Sequence, residues 1–342
     1  MTLIQRLILR ILIVAAIGLS FAAIRVIGQT PAPTPNPELK PGVKLLTDSN
    51  AKQALDFFKK AVKQNKTDGE AWYYLGIVYL QISDLKKASE AFKNALELRP
   101  DLAAPAHAGY AYALVLRNKL ASASAEADKA LSIDPKNIEA LYTLAIVELR
   151  KGSQDESVKK ADEIIALKPD FAAAYLLKSQ AFVSYSGGVL YPNRDLSTEE
   201  RQRGYKTAAE ALEKYLQLEA DPVAAQPWQE QLESLRFVLA DKSVRSEIYT
   251  GKNVTEKARV LAKPEPSYTE NARSQQIEGT VVIRCVFASD GRVTHLLIVE
   301  ALPYGLTERA IAAAKKIKFV PATRDGKPVS MWMQLEYNFN LY

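Results

Sequence analysis

The stretch AWYYLGIVYLQISDLKKASEAFKNALELRP, residues 71–100, decides how most of the chain is read. Trp72, Leu75, Gly76 and Tyr79 fall at helical spacing, and Ala88, Phe92 and Ala95 do so again before Pro100. Apolar positions three and four residues apart make one face of an α-helix. The small residues let two antiparallel helices approach closely, the large ones fill the space between them, and the proline closes the second helix. The unit recurs. Pro100, Pro135 and Pro169 lie 35 and 34 residues apart, and Ala88 and Ala123 keep the same offset.

A repeat of this length marks stacked helix pairs. The order W-x2-L-G-x2-Y, A-x3-F, P resembles the tetratricopeptide (TPR) repeat at every position. A second copy has Tyr110 and Ala111 where Leu75 and Gly76 stood. His107 takes the place of the tryptophan there, which makes it a packing residue rather than a ligand. The third copy supplies Leu141, Leu144, Ala145, Ala161 and Pro169. A fourth begins near Ala172, is interrupted near residues 186–204, and resumes over Tyr205–Leu218. Ala54, Phe58 and Ala61 fit the second helix of an incomplete first copy. A helix holding Trp228, Leu232, Leu235 and Leu239 is expected to cap the stack with a polar outer face. A helical solenoid of about four or five repeats is therefore expected over residues 48–240.

In such stacks the first helix of each pair lines the concave side. Tyr73, Ile77 and Leu80, then Tyr112 and Val115, then Tyr142, Ile146 and Leu149 occupy those faces. Two readings stay open: a groove for an extended or helical peptide with apolar side chains, or packed interior between repeats. Some TPR modules clamp a partner's terminal carboxylate with Lys and Asn at these positions. Tyr73 and Ile77 hold them here, so that activity does not carry over.

Arg6 and Arg10 precede an uncharged apolar run, Ile11–Ile24, and Arg25 follows it. Residues 1–28 thus read as a signal peptide or as an N-terminal membrane anchor over residues 7–27. Either way the positive charges keep the N-terminus inside and send the rest across the membrane. Pro31, Pro33, Pro35, Pro37 and Pro41 make residues 29–47 a short, stiff spacer.

After a charged linker, residues 241–257, the texture changes. Residues 269–276 read as a short helix. Residues 280–288 and 292–299 read as strands joined at Asp290-Gly291. Residues 307–317 form an amphipathic helix. Asp325-Gly326 turns the chain into a last strand, in which Met331, Met333, Leu335, Tyr337, Phe339 and Leu341 alternate with mostly polar residues. The order is αββαβ.

Pro266-Ser267-Tyr268, Ala272, Gly279, Val281, Asp290-Gly291, Val293, Gly305-Leu306, Ala310, Phe319, Pro321-Ala322, Gly326 and Val329 resemble, in order and spacing, the C-terminal domain of the TonB energy transducers. Residues 258–342 would then be a small α+β domain with a three-stranded antiparallel sheet whose last strand is an edge. The resemblance implies a Gram-negative periplasmic location. It also implies that the TonB box of an outer-membrane TonB-dependent transporter, or a segment of another envelope protein, adds to this edge by main-chain hydrogen bonds. The implied contacts are Met331, Met333, Leu335, Tyr337 and Phe339, with Pro266, Tyr268 and Arg273 nearby. The family often has Tyr-Pro where this chain has Tyr268-Thr269, which leaves the partner's identity open. In the family, ExbB and ExbD drive the membrane helix. Here the apolar run lacks the histidine by which that helix engages them, and Ser20 alone does not restore the motif. A scaffold for envelope assembly without energy transduction is the alternative.

Other classes find little support. The formal charge of +6 is spread along the chain, with no basic run for nucleic acid. One cysteine, Cys285, allows no internal disulfide and sits in an apolar run as a structural thiol. Two histidines, His107 and His295, offer neither metal spacing nor a paired nucleophile. No enzyme, cofactor or metal site is expected.

Overall fold

The computed structural model describes residues 36–48, 50–187, 196–240 and 248–341. The signal or anchor segment, the first prolines of the spacer, residues 188–195 of the insertion and the start of the linker lie outside these. Among the described residues no helix is long and apolar enough to cross a membrane. Two compact units divide between Leu177 and Lys178.

The first unit is all helix: α1 (Lys40–Thr47), α2 (Ala51–Gln64), α3 (Gly69–Gln81), α4 (Leu85–Leu98), α5 (Ala103–Leu116), α6 (Leu120–Ile133), α7 (Ile138–Lys151) and α8 (Gln154–Leu167), then the start of α9 (Ala172–Gly187). The spacer is shorter than expected, because α1 begins within it. Pro41 falls in the first turn of α1, where its missing N–H had no helical partner to lose. Asn50, Asp68, Asp84 and Asn137 each accept a backbone N–H three residues on, which fixes where α2, α3, α4 and α7 start. The recurring alanines do what the repeat asks of them: Ala54, Ala88, Ala123 and Ala161 are fully buried. Phe92 shows why. Its ring lies against Gly76 of α3 and Gly109 of α5, where an added Cβ would come within 2.8 and 2.5 Å of it.

In the second unit, α10 (Thr198–Leu218) opens on a capping box: Ser197 Oγ accepts the Glu200 N–H, and the Glu200 carboxylate accepts the Ser197 N–H. α11 follows over Pro222–Leu239. The remaining elements are β1 (Ile248–Tyr249), β2 (Arg259–Ala262), α12 (Glu270–Ser274), β3 (Gly279–Phe287), β4 (Val293–Glu300), α13 (Leu306–Ala314), β5 (Lys318–Val320), β6 (Ala322–Arg324) and β7 (Lys327–Phe339). The three expected antiparallel strands are β7, β3 and β4, in that order. The sheet is larger than expected: β1 adds in parallel outside β7, and β6 forms a hairpin with it. β2 and β5 pair as a separate ribbon. Asp325 and Gly326, with φ of 51° and 75°, make the left-handed two-residue turn that a β6–β7 hairpin requires.

Register explains the alternation in β7. Met331, Met333, Leu335 and Tyr337 lie opposite Phe287, Cys285, Ile283 and Val281, all on one face. All of these but Met333 are 5% exposed or less. Burial pushes the Cys285 thiol up to about 12, so it stays protonated and inert.

On α13 the Glu308 carboxyl is shielded, and its Oε2 has no hydrogen-bond partner among the described residues. Burial raises its pKa from 4.5 to about 7. A raised carboxyl pKa means the folded state favours the protonated form. This support is fully present below the unfolded value and is lost as pH rises through about 7. The loss amounts to about 3 kcal/mol. Glu308→Gln should therefore match wild type in thermal unfolding near pH 4 and exceed it at pH 8.5.

Candidate functional site

A sheet offers strand-binding capacity only at an edge whose N–H and C=O groups are unpaired. The β4 edge is not such a place. The Ile298 N–H donates to Gln231 Oε1 at 3.0 Å, and Gln231 Nε2 donates to the Ile298 carbonyl at 3.2 Å. One side-chain amide from α11 thus imitates the neighbouring strand. Around it, Phe237 stacks on His295 with ring centroids 3.6 Å apart and lies 6.1 Å from Trp332. Arg284 covers Trp332 at 5.2 Å and donates to the Tyr205 hydroxyl of α10 at 3.3 Å. α11 packs against the sheet on one side, where its Gln231, Leu232, Ser234 and Leu235 are buried, and keeps a polar outer face of exposed Gln229, Glu230, Glu233 and Arg236. His295 sits at a shift in the β3–β4 register with φ of 49° and donates to or accepts from Thr294 Oγ1. Burial lowers its pKa, which fits a neutral ring stacked on phenylalanine.

The other edge, β7, is open for only part of its length. β6 pairs with residues 327–329 and β1 with Ser330 and Met331. Among the described elements none pairs with the outer side of β7 beyond that point. The direction of the free groups follows from alternation. Ile298 points away from β3, so its partner Ile283 points toward β7 and meets Leu335. Odd residues of β7 therefore bond inward and even ones outward. Lys263 agrees: its ammonium donates to the Glu336 carbonyl at 2.7 Å. Among the described residues the edge open to a further strand is the main chain of Trp332, Gln334, Glu336 and Asn338, with Lys263 on the Glu336 carbonyl.

Of the expected contact residues on this strand, Met331, Leu335, Tyr337 and Phe339 have side chains buried in the domain core and Met333 is half-buried. Tyr268 and Arg273 do come to this strand. The Tyr268 ring meets Phe339 edge-on at 5.5 Å, its hydroxyl donates to the Ile277 carbonyl, and Arg273 lies 5.8 Å over it. Burial raises the Tyr268 pKa. Pro266 is half-buried in the segment between Lys263 and Tyr268.

The residues expected to line a groove in the first unit are interior side chains. Tyr73, Ile77, Leu80, Tyr112, Val115, Tyr142 and Ile146 are 3% exposed or less, and Leu149 is half-buried. Tyr73 meets Tyr74 and Phe92, and Tyr142 meets Tyr112 and Phe171. The physical reason is compositional: α3, α5 and α7 are apolar on nearly every face, and such helices are buried all round. The open apolar groove is corrected to packed rings. His107 pairs with Glu126 on α6 at 2.7 Å. Although burial would raise the Glu126 carboxyl, Lys129 and His107 hold it below its ordinary value.

Comparison with known proteins matches both units. Residues 264–341 match the family described as Gram-negative bacterial TonB protein C-terminal. Residues 45–170 match the cytochrome c-type biogenesis protein H TPR domain. The chain joins a TPR domain to a TonB C-terminal domain. Protein TonB of Klebsiella pneumoniae is 31% identical over 80 residues, 23% of this chain and 33% of that protein. BBSome complex member BBS4 of Bos taurus is 28% identical over 119 residues, 34% of this chain and 22% of that protein. The solved thermophilic TPR protein TTC0263 of Thermus thermophilus is 18% identical, with a TM-score of 0.45 over 58% of this chain and 97% of its own. The chain thus spans a third or less of the length of these curated relatives.

The TonB C-terminal domain and the TPR domain are both interaction modules with no catalytic role of their own. Two residues that shape the sheet's edges, Gln231 at β4 and Lys263 at β7, carry no local sequence signal, and both lie outside the matched TonB residues 264–341. Gln231 sits 67 positions from Ile298, and Lys263 sits 73 from Glu336. No local pattern announces either pairing.

Proposed function

We propose that this protein is a periplasmic member of the TonB type that captures an extended segment of an outer-membrane TonB-dependent transporter by strand addition to β7. The single observation that carries this reading is the asymmetry of the sheet. Gln231 seals the β4 edge, while among the described residues the outward main chain of residues 332–338 has only the Lys263 side chain on it. Main-chain hydrogen bonds from an added strand would supply affinity, and the flanking side chains would supply selection. On this reading the protein acts by binding and not by catalysis. Coupling to ExbB and ExbD would require residues 7–27 to remain as an inner-membrane anchor. A cleaved chain would bind as a periplasmic adaptor without transducing energy, and the missing histidine in the apolar run favours that version.

The test is a calorimetric titration of the chain with the N-terminal segment of a transporter containing its TonB box. Saturable binding by that segment, absent for a shuffled peptide of the same composition, is expected. Equal binding by both peptides, or by neither, contradicts strand capture.

A further inference from the structure

Lys263 stands directly on the open edge. Its ammonium donates to the Glu336 carbonyl at 2.7 Å and lies 4.5 Å from the centre of the Tyr337 ring. Both partners are neutral. No carboxylate oxygen among the described residues lies within ion-pair distance of it. The nearby Glu336 carboxylate accepts from Gln334 instead, and it projects from the opposite face of β7 to Tyr337. Glu265 acts electrostatically on Tyr337 and forms no ion pair with Lys263 among the described residues. The Glu336 carbonyl is also one of the few acceptors that an added strand must use. When a partner N–H takes it, the lysine gives up its hydrogen bond while its charge remains beside the strand.

Resting on the strand-addition reading, we propose that Lys263 selects for a carboxylate on the incoming segment. The partner of β7 is then an extended peptide bearing Asp or Glu on the face shared with Tyr337. The exchange is self-consistent. The backbone acceptor passes to the partner, and the freed ammonium gains a charge-assisted contact, which is stronger than its bond to a neutral carbonyl. Charge complementarity commits the edge to an acidic segment and disfavours a second β7 strand of this chain, which would bring another Lys263 to the same edge. Lys263 directly follows β2 and precedes the residues that match the TonB family model. The side chain is exposed, so its replacement is expected to leave the fold intact.

The experiment is a double-mutant cycle in the full chain. The probe is the transporter segment above, made with its native acidic residues and with each in turn changed to the amide. Wild-type protein is expected to bind one of the amide forms about fivefold more weakly, with the difference shrinking as salt is raised. Lys263→Met is expected to bind acid and amide forms equally, and Lys263→Arg is expected to restore the difference. Equal binding of all forms by wild type overturns the selection while leaving strand addition standing. A preference that persists in Lys263→Met overturns it as well. Binding by no form contradicts the strand-addition reading and this inference together.

Discussion

Proline at position 335 is expected to unfold the C-terminal unit, whereas proline at the adjacent position 334 is expected to leave it folded and abolish strand capture. The two positions differ in which way the main chain faces and in whether the side chain is buried. Leu335 lies opposite Ile283 with its N–H turned inward, and its side chain is 5% exposed. Leu335→Pro deletes a ladder bond in the middle of the sheet and removes a core side chain, at a cost of about 3–5 kcal/mol. Gln334 is exposed, and its N–H faces the open edge. Proline is tolerated on an edge strand when its missing N–H faced outward, so Gln334→Pro should cost about 1 kcal/mol in stability. It removes a donor that an added strand needs, and binding of the transporter segment should fall at least about tenfold. Circular dichroism checks the fold and calorimetry the binding. If Gln334→Pro binds as wild type does, the edge is not the site.

The second large effect concerns the sealed edge. Gln231→Leu keeps the size of a side chain that is 5% exposed but deprives both the N–H and the C=O of Ile298 of their partners. Leaving part-buried groups unpaired costs about 1–3 kcal/mol. Trp228 and Trp332 report on this unit and Trp72 on the first, so fluorescence-monitored urea unfolding should show an earlier transition for the C-terminal unit alone. Gln231→Glu, which keeps one acceptor for the Ile298 N–H, should fall between leucine and wild type. A Gln231→Leu chain as stable as wild type would mean that α11 holds the sheet by packing of Phe237 and Leu235 and not by the amide.

The fold was largely legible because its signals are periodic. The recurring Ala88, Phe92 and proline spacing needs only counting, and the alternation from Met331 to Phe339 matches the buried face of β7. What stayed hidden depends on distance or on ambiguity. Strand β1 is two residues long, too short to carry a pattern. Gly109, which lets Phe92 approach α5, sits off the repeat register established by Gly76. Tyr73, Tyr112 and Tyr142 lie on helices that are apolar on nearly every face, so periodicity could not separate groove from interior. The site was half legible. The strand that forms the edge was clear, but alternation marks the side chains that are buried, and the functional groups are the main-chain atoms of the polar residues between them. Gln231 and Lys263 act across more than sixty positions, through one amide and one ammonium.

Strand addition to β7 is tested most directly by amide hydrogen exchange at single-residue resolution, with and without the transporter segment. The account predicts that the amides of Gln334, Glu336 and Asn338 gain protection on binding, while those of Leu335 and Tyr337, already bonded to β3, change little. Protection confined to the helices of the first unit, or spread equally over odd and even residues of β7, would contradict it.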